Sequence, residues 1–517
     1  MLPLNVIATT LLALGSLLQP TSALLPITIK GNRFIKPALD SESGSVFFIN
    51  GVDYQPGGSS GYSYEMTADV LTDPEVCARD ATLIQNLGVN TIRVYTIDPD
   101  LNHDECMTIF NNAGIYVILD VNSPLGGESL NRDDPESTYN AWYLSRVFKV
   151  IESFRHYSNV IGFFLGNEVI NDEKSASLDP RFLRAITRDA KEYIANRLAE
   201  DEDSRDIFVG YSAADVVELR MPTFEYMTCQ LDGNHNESMS AIDFFGLNSY
   251  EWCSGVNDWE SSGYENLVDE YTNSSVPVFF SEYGCNKQMP RTFEEVSEGV
   301  FDGLLNVLDG GLIYEYSEEA SNYGLVDISD SDSVILKGDY FNLKSQISES
   351  KIPFINETKV EDYEAPKCNA KLIEQYDDYF EANFTLPLAN KDTRYMIDNG
   401  VDVQHKGQFV DVDEYLNLYI SGASTSGNMT KAAFIVGTDS ESSTTEIYLT
   451  IDPTNLINNK SDKSPKTTTS SSSTAVVSTT AATTSSVSSI SSHSKNNVGK
   501  LDASLWSGFA GVVLALL

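Results

Sequence analysis

A chain of 517 residues, 41% of them hydrophobic, has enough apolar material for one large domain and a smaller one. Its formal charge of −41, from 75 acidic against 34 basic residues, excludes the basic clusters that bind phosphate backbones, so no nucleic-acid partner is expected. An anionic substrate fits poorly for the same reason, whereas a neutral polymer meets little repulsion.

The N-terminus, MLPLNVIATTLLALGSLLQPTSALLP, is an apolar run followed by Thr21, Ser22 and Ala23, which reads as a cleavable secretion signal over residues 1–23. Residues 24–345 then alternate short apolar runs with longer amphipathic segments. Eight strands are predicted: VFFINGVDYQ to Gln55, VNTIRVYT to Thr96, IYVILDVN to Asn122, VIGFFLGNE to Glu168, DIFVGYSA to Ala213, DFFGLNSYEW to Trp252, VPVFFSEYG to Gly284 and GLIYEYSE to Glu318. The stretches between them, such as AWYLSRVFKVIESFRHY, repeat apolar residues at helical spacing. Nearly continuous apolar strands suit a parallel sheet covered on both faces, and eight strand–helix units point to a closed (β/α)8 TIM-type barrel.

Residues 346–460 change character. NFTLPLA, GQFVDVDEYLNLYISG, KAAFIVGT and TEIYLTIDP predict a small β-rich domain. Residues 461–496 are Ser/Thr-rich and are expected to form an extended, O-glycosylated stalk. Residues 497–517 end in LWSGFAGVVLALL, too short to span a bilayer, and match a signal for glycosylphosphatidylinositol attachment at Asn497. The lipid is then the sole membrane contact, and a secreted protein held at the outer face of the plasma membrane or in the cell wall is expected. Asn236, Asn273, Asn356, Asn383, Asn428 and Asn459 open glycosylation sequons. Cys77, Cys106, Cys229, Cys253, Cys285 and Cys368 form an even set without metal-ligand spacing, so disulfides are expected, with fifteen pairings open. Five His and no HExxH predict neither metal nor cofactor.

Polar residues interrupt the apolar runs near the C-terminal strand ends, where barrels of this kind place their chemistry. Glu168 closes GFFLGNE and Glu282 closes VFFSEYG, which puts two carboxylates across one cleft. Glycosidic bond cleavage needs such a pair, one acid for the leaving oxygen and one nucleophile or base. Asn167 offers a neutral donor beside the first. Arg93 and Tyr250 are placed to hold Glu282 ionised. Tyr95 and Tyr314 offer flat faces for sugar rings. Gln55 and Asp120 are read as supports.

RVYTID, ILDVN with the following SPLGGESLNR, GNE, SEYGCN and GGLIYEYSEE together resemble the fungal β-1,3-glucanosyltransferases of glycoside hydrolase family 72. The resemblance implies Glu168 as acid/base and Glu282 as nucleophile, with Tyr95, Asn167 and Tyr314 contacting sugar. It also implies a sugar-contacting loop from Asn122 through Ser123 to Leu130, and Asp215 and Arg220 as an acceptor-side polar pair. The implied disulfides are Cys77–Cys106, Cys229–Cys368 and Cys253–Cys285. Only Cys368 follows Cys285, which places the chain with the branch lacking a cysteine-rich carbohydrate module. The expected partners are a β-1,3-glucan donor and acceptor, acted on by a monomer. An endo-β-glucanase and a glucan-binding wall mannoprotein without turnover are the rival readings.

Overall fold

The computed structural model describes residues 23–412, apart from 39–42, 59–60, 64–68, 202–204, 232–238 and 331–332, together with the short strand Ile420–Ser421. Strands β1 (Thr28–Lys30), β2 (Arg33–Lys36) and β3 (Ser45–Val46) form a small antiparallel sheet. Then come β4 (Ile49–Asp53), β5 (Thr91–Val94), β6 (Tyr116–Asp120), β7 (Val160–Asn167), β8 (Phe208–Ala213), β9 (Phe244–Ser249), β10 (Val278–Tyr283) and β11 (Gly310–Ile313). These eight are parallel and close into a barrel, β11 pairing with β4 from Gly310 opposite Ile49 to Ile313 opposite Val52. The expected (β/α)8 fold is the observed one.

The barrel closes because its strands carry apolar side chains on both faces. One set packs against the surrounding helices and the other fills the interior. Inside, Phe164 and Phe279 lie with ring centroids 5.3 and 5.9 Å from Phe244, and Phe34 of β2 stands 5.8 Å from Phe279. Gly210 makes room for this cluster: a Cβ there would fall 2.2 Å from the Phe244 ring. Arg33 pairs with Asp309 at 2.5 Å just before β11 and caps the N-terminal end of the barrel. With that end filled, the opposite rim is left for ligands.

The strands stop short of several expected ends: β4 at Asp53 rather than Gln55, and β11 at Ile313 rather than Glu318. The polar residues beyond them belong to the rim loops. All three implied disulfides are formed. Cys77–Cys106 ties helix Pro74–Leu87 to helix Asp104–Asn112, and Cys253–Cys285 joins the rim loops after β9 and β10.

The C-terminal reading needs correction. Within 346–412 the described residues hold short helices, Ala370–Ile373 and Lys391–Asn399, and extended segments, and NFTLPLA joins no ladder. The segment runs back along the barrel: Asn196 donates to the Ile397 carbonyl, and the Gly407 and Val410 amides bond Ser153 and Thr108. Helix residues satisfy this part of its backbone, while Ile355–Glu357 bridges to the edge of β3 through the Val46 amide and the Gly44 carbonyl. Of the later expected strands, residues 407–412 are described and join no ladder, Ile420–Ser421 pairs with the strand Ser333–Leu336, and the rest lie outside the described residues. So do Asn236, Asn428, Asn459, Asn497 and residues 1–22. Of the remaining sequons, Asn273 is exposed, and Asn356 and Asn383 are partly so. Among the described residues no helix is long and apolar enough to cross a membrane.

Candidate active site

Glu282, near the end of β10, is buried and accepts three hydrogen bonds. Arg93 Nη1 at 3.1 Å and the Tyr95 hydroxyl at 2.9 Å reach Oε1, and the Tyr250 hydroxyl at 2.8 Å reaches Oε2. Burial pushes its pKa above the usual glutamate range and the Glu168 charge adds to this, while Arg93 and the two phenols oppose it. The three donors also fix the direction in which its oxygens face.

Arg93 organises this side of the cleft. Its guanidinium is buried, 4.2 Å over the Tyr95 ring and 4.8 Å over Phe164. Nε and Nη2 grip Asp120 at 3.0 and 2.8 Å, and Nη2 also donates to Asn167 Oδ1 at 3.0 Å. Removing the cation leaves buried carboxylates unpaired, so Arg93→Met is expected to cost about 3–5 kcal/mol of stability, read as an early thermal or urea unfolding transition.

Glu168 follows β7 directly, half-buried and with φ +50°, a left-handed conformation that a glutamate seldom adopts. Its amide still bonds the Ser212 carbonyl at 2.8 Å, so the chain turns without leaving the barrel rim. Asn248 Nδ2 donates to Glu168 Oε1 at 2.7 Å. Asn248 Oδ1 in turn meets Ser212 and Ser281 at 3.1 and 2.8 Å. A side chain at Gly246 would close this space, its Cβ lying 2.6 Å from Ser281 Oγ.

Asn167 can be oriented without ambiguity. Arg93 only donates, so the atom facing it is Oδ1, which also accepts from Ser212 at 2.8 Å. Asn248 Nδ2 adds a third bond to the same oxygen at 3.3 Å.

The structure thus brings Glu168, Glu282, Asn167, Arg93, Asp120, Tyr95 and Tyr250 together, and Gln55 supports them. Gln55 Oε1 accepts from the Tyr95 and Thr96 amides at 3.2 and 3.0 Å. Tyr314 stands beside them, half-buried, its ring edge-on to Tyr95, Tyr250 and Tyr323 at 6.5, 6.3 and 5.2 Å.

One expectation changes, and the other expected sugar-contacting residues are seen with protein partners. Tyr95 is not an open platform: it is buried beneath Arg93 with its hydroxyl on Glu282. Asn122 and Ser123 are held by the protein itself. Asn122 accepts from the Tyr143 hydroxyl at 2.8 Å, and Ser123 Oγ donates to Glu128 at 2.5 Å, which pins the loop to Leu130. Asp215 and Arg220 do not bond each other. Arg220 makes two 2.8 Å bonds to Glu270, while Asp215 accepts the Tyr250 amide at 2.9 Å. Asp215 therefore steadies the tyrosine that contacts Glu282.

Sequence reasoning passed over Ser212, Ser281 and Asp53. The two serines were visible as single hydroxyls within otherwise apolar strands, FVGYSA and VFFSEY.

Comparison with known proteins agrees with this geometry. The family model described as "Glucanosyltransferase" matches residues 16–351. A probable 1,3-β-glucanosyltransferase, GAS3 of Saccharomyces cerevisiae, is 53% identical over 409 residues, 77% of this chain and 77% of the relative. The 1,3-β-glucanosyltransferase gel2 of Aspergillus fumigatus is 47% identical over 403 residues, 77% of this chain and 80% of the relative. Among solved structures, a Saccharomyces cerevisiae Gas2p mutant in complex with laminaritetraose and laminaripentaose aligns with TM-score 0.59 and 37% identity, covering 70% of this chain and 74% of that one.

Proposed function

The chain belongs to the glucanosyltransferase family, and from this we propose how its site performs the reaction. The protein is a 1,3-β-glucanosyltransferase of fungal type. It cleaves an internal β-1,3-glucan linkage and joins the new reducing end to the non-reducing end of another glucan. It works outside the cell in association with the wall.

Glu282 attacks the anomeric carbon as the glycosidic C–O bond breaks, and Glu168 gives its proton to the departing oxygen. The result is an ester between sugar and Glu282. Glu168, now ionised, takes the proton from an acceptor hydroxyl, whose oxygen displaces Glu282 and restores both carboxyls. One glycosidic bond is lost and one formed, with retention at the anomeric carbon.

The observation that carries these roles is the asymmetry of the pair. Glu282 receives three donors, as suits an ionised nucleophile. Glu168 receives one side-chain bond, from Asn248, and stands half-open to the cleft. Asn167 is assigned to the sugar 2-hydroxyl, whose bond strengthens in the transition state, and Tyr314 to ring contact. Incubation with a reduced laminarioligosaccharide of defined length tests the reading: products longer than the substrate are expected, and shorter ones alone would mean hydrolysis.

The finer assignments rest on the sequence. Residues 24–345 form the catalytic unit, preceded by a secretion signal and followed by the C-terminal segment, the Ser/Thr-rich stalk and the anchor signal. A monomer attached at Asn497 through lipid alone is the arrangement those segments support.

A further inference from the structure

Asp53 ends β4, in register with Arg93 on β5. It is fully buried, and neither carboxyl oxygen has a hydrogen bond of good geometry, Tyr95 being the one side chain close enough to share a proton with it. Every other carboxylate in this layer is bonded, so the exception calls for a cause.

The cation facing Asp53 is Arg93, and that guanidinium is fully occupied. Its five N–H groups meet six acceptors: Asp120 Oδ1 at 3.0 Å, Asp120 Oδ2 at 2.8 Å, Asn167 Oδ1 at 3.0 Å, Glu282 Oε1 at 3.1 Å, the Ser281 carbonyl at 3.1 Å and, at the longest reach, the Tyr95 hydroxyl oxygen at 3.5 Å. Tyr95 also faces Asp53, but its single proton is directed to Glu282 at 2.9 Å. An ionised Asp53 would be a third carboxylate on one guanidinium, in a dry interior, with no donor of its own. Such a group keeps its proton. A carboxylic acid needs an acceptor instead, and the Tyr95 oxygen, which donates its proton to Glu282 and accepts only a long 3.5 Å bond from Arg93, keeps a lone pair for it.

We propose that Asp53 is a neutral carboxylic acid donating to the Tyr95 oxygen, a positioning residue that keeps the Tyr95 hydroxyl aimed at Glu282. The sequence Asp53, Tyr95, Glu282 is then a chain of two hydrogen bonds whose polarity strengthens the one on the nucleophile. The other groups facing Asp53 are Asp120 on β6, Glu282 and Tyr283 on β10, Tyr250 after β9 and Tyr314 after β11. None of these is a cation. Burial raises the Asp53 pKa well above the aspartate range, with Glu282 and Asp120 adding to it and Arg93 and the Tyr95 hydroxyl opposing.

The role of Asp53 rests on the nucleophile assignment above, but its protonation does not, and the test separates the two. An infrared difference spectrum of wild type minus Asp53→Asn, without substrate at neutral pH, is expected to show the carbonyl stretch of a protonated carboxylic acid. Its absence overturns the proposal. In glucan transfer, Asp53→Ala is expected to lower kcat about tenfold and move the acid limb of the pH profile upward, because Glu282 loses a well-aimed donor. Asp53→Asn, which keeps a donor, should recover most of that loss. In a Tyr95→Phe background Asp53→Ala should add less than about twofold. Equal losses for Asn and Ala, or full additivity with Tyr95→Phe, would overturn the role. Should Asp53→Ala fail to fold, the infrared result and the Asn variant decide. A wild type without transfer activity would remove the functional reading while leaving the infrared result intact.

Discussion

Glu282→Gln is expected to abolish glucan transfer, lowering kcat/KM on the order of 10⁴-fold or more, while glucan binding persists. The amide has nearly the size of the carboxylate but cannot form the sugar ester, so neither cleavage nor transfer proceeds. Binding survives because Asn167 and Tyr314, assigned to substrate, do not depend on the charge of Glu282. Product chromatography and a glucan-binding assay on the same preparation check both parts. Substantial residual transfer would remove Glu282 from the mechanism. The wild-type pH profile gives a second check. The nucleophile must be ionised, and burial raises its pKa, so kcat/KM should fall on the acid side at a pH above the ordinary glutamate range.

Glu168→Gln is expected to lower transfer from natural glucan by about 10²–10⁴-fold, the usual contribution of a positioned acid or base. Both chemical steps suffer, since the leaving oxygen lacks a proton and the acceptor lacks a base. A donor with an activated leaving group separates them. With a laminarioligosaccharide bearing a dinitrophenyl aglycone, the first step should recover and the second should not. Release of the phenol in a burst, with a sugar ester on Glu282 visible by mass spectrometry, is the expected result. Unimpaired transfer from unactivated glucan would show that another group supplies the proton.

The barrel and its two glutamates were legible because each rests on a local pattern. An apolar run that ends in a polar residue signals a strand delivering a side chain to the rim, and GFFLGNE and VFFSEY both fold that way. Partners that depend on packing were not legible. Tyr95 reads equally well as a platform or a donor until Arg93 stacks on its ring. Asp215 and Arg220 lie close in sequence, yet Glu270 arrives from a helix fifty residues on and takes the guanidinium. Asp53 sits in VFFINGVDYQ like any strand-end acid, and only the exhausted donors of Arg93 make it unusual. In the C-terminal segment, alternating residues suggested strands because alternation records one-sided contact. Helix flanks supply that contact as well as a sheet does.

The left-handed backbone at Glu168 bears on any attempt to engineer this protein. Glycine would relieve a cost on the order of 1 kcal/mol at that position and would also erase the acid. A screen that rewards only thermal tolerance would therefore favour an inert variant here, and stability and turnover must be selected together.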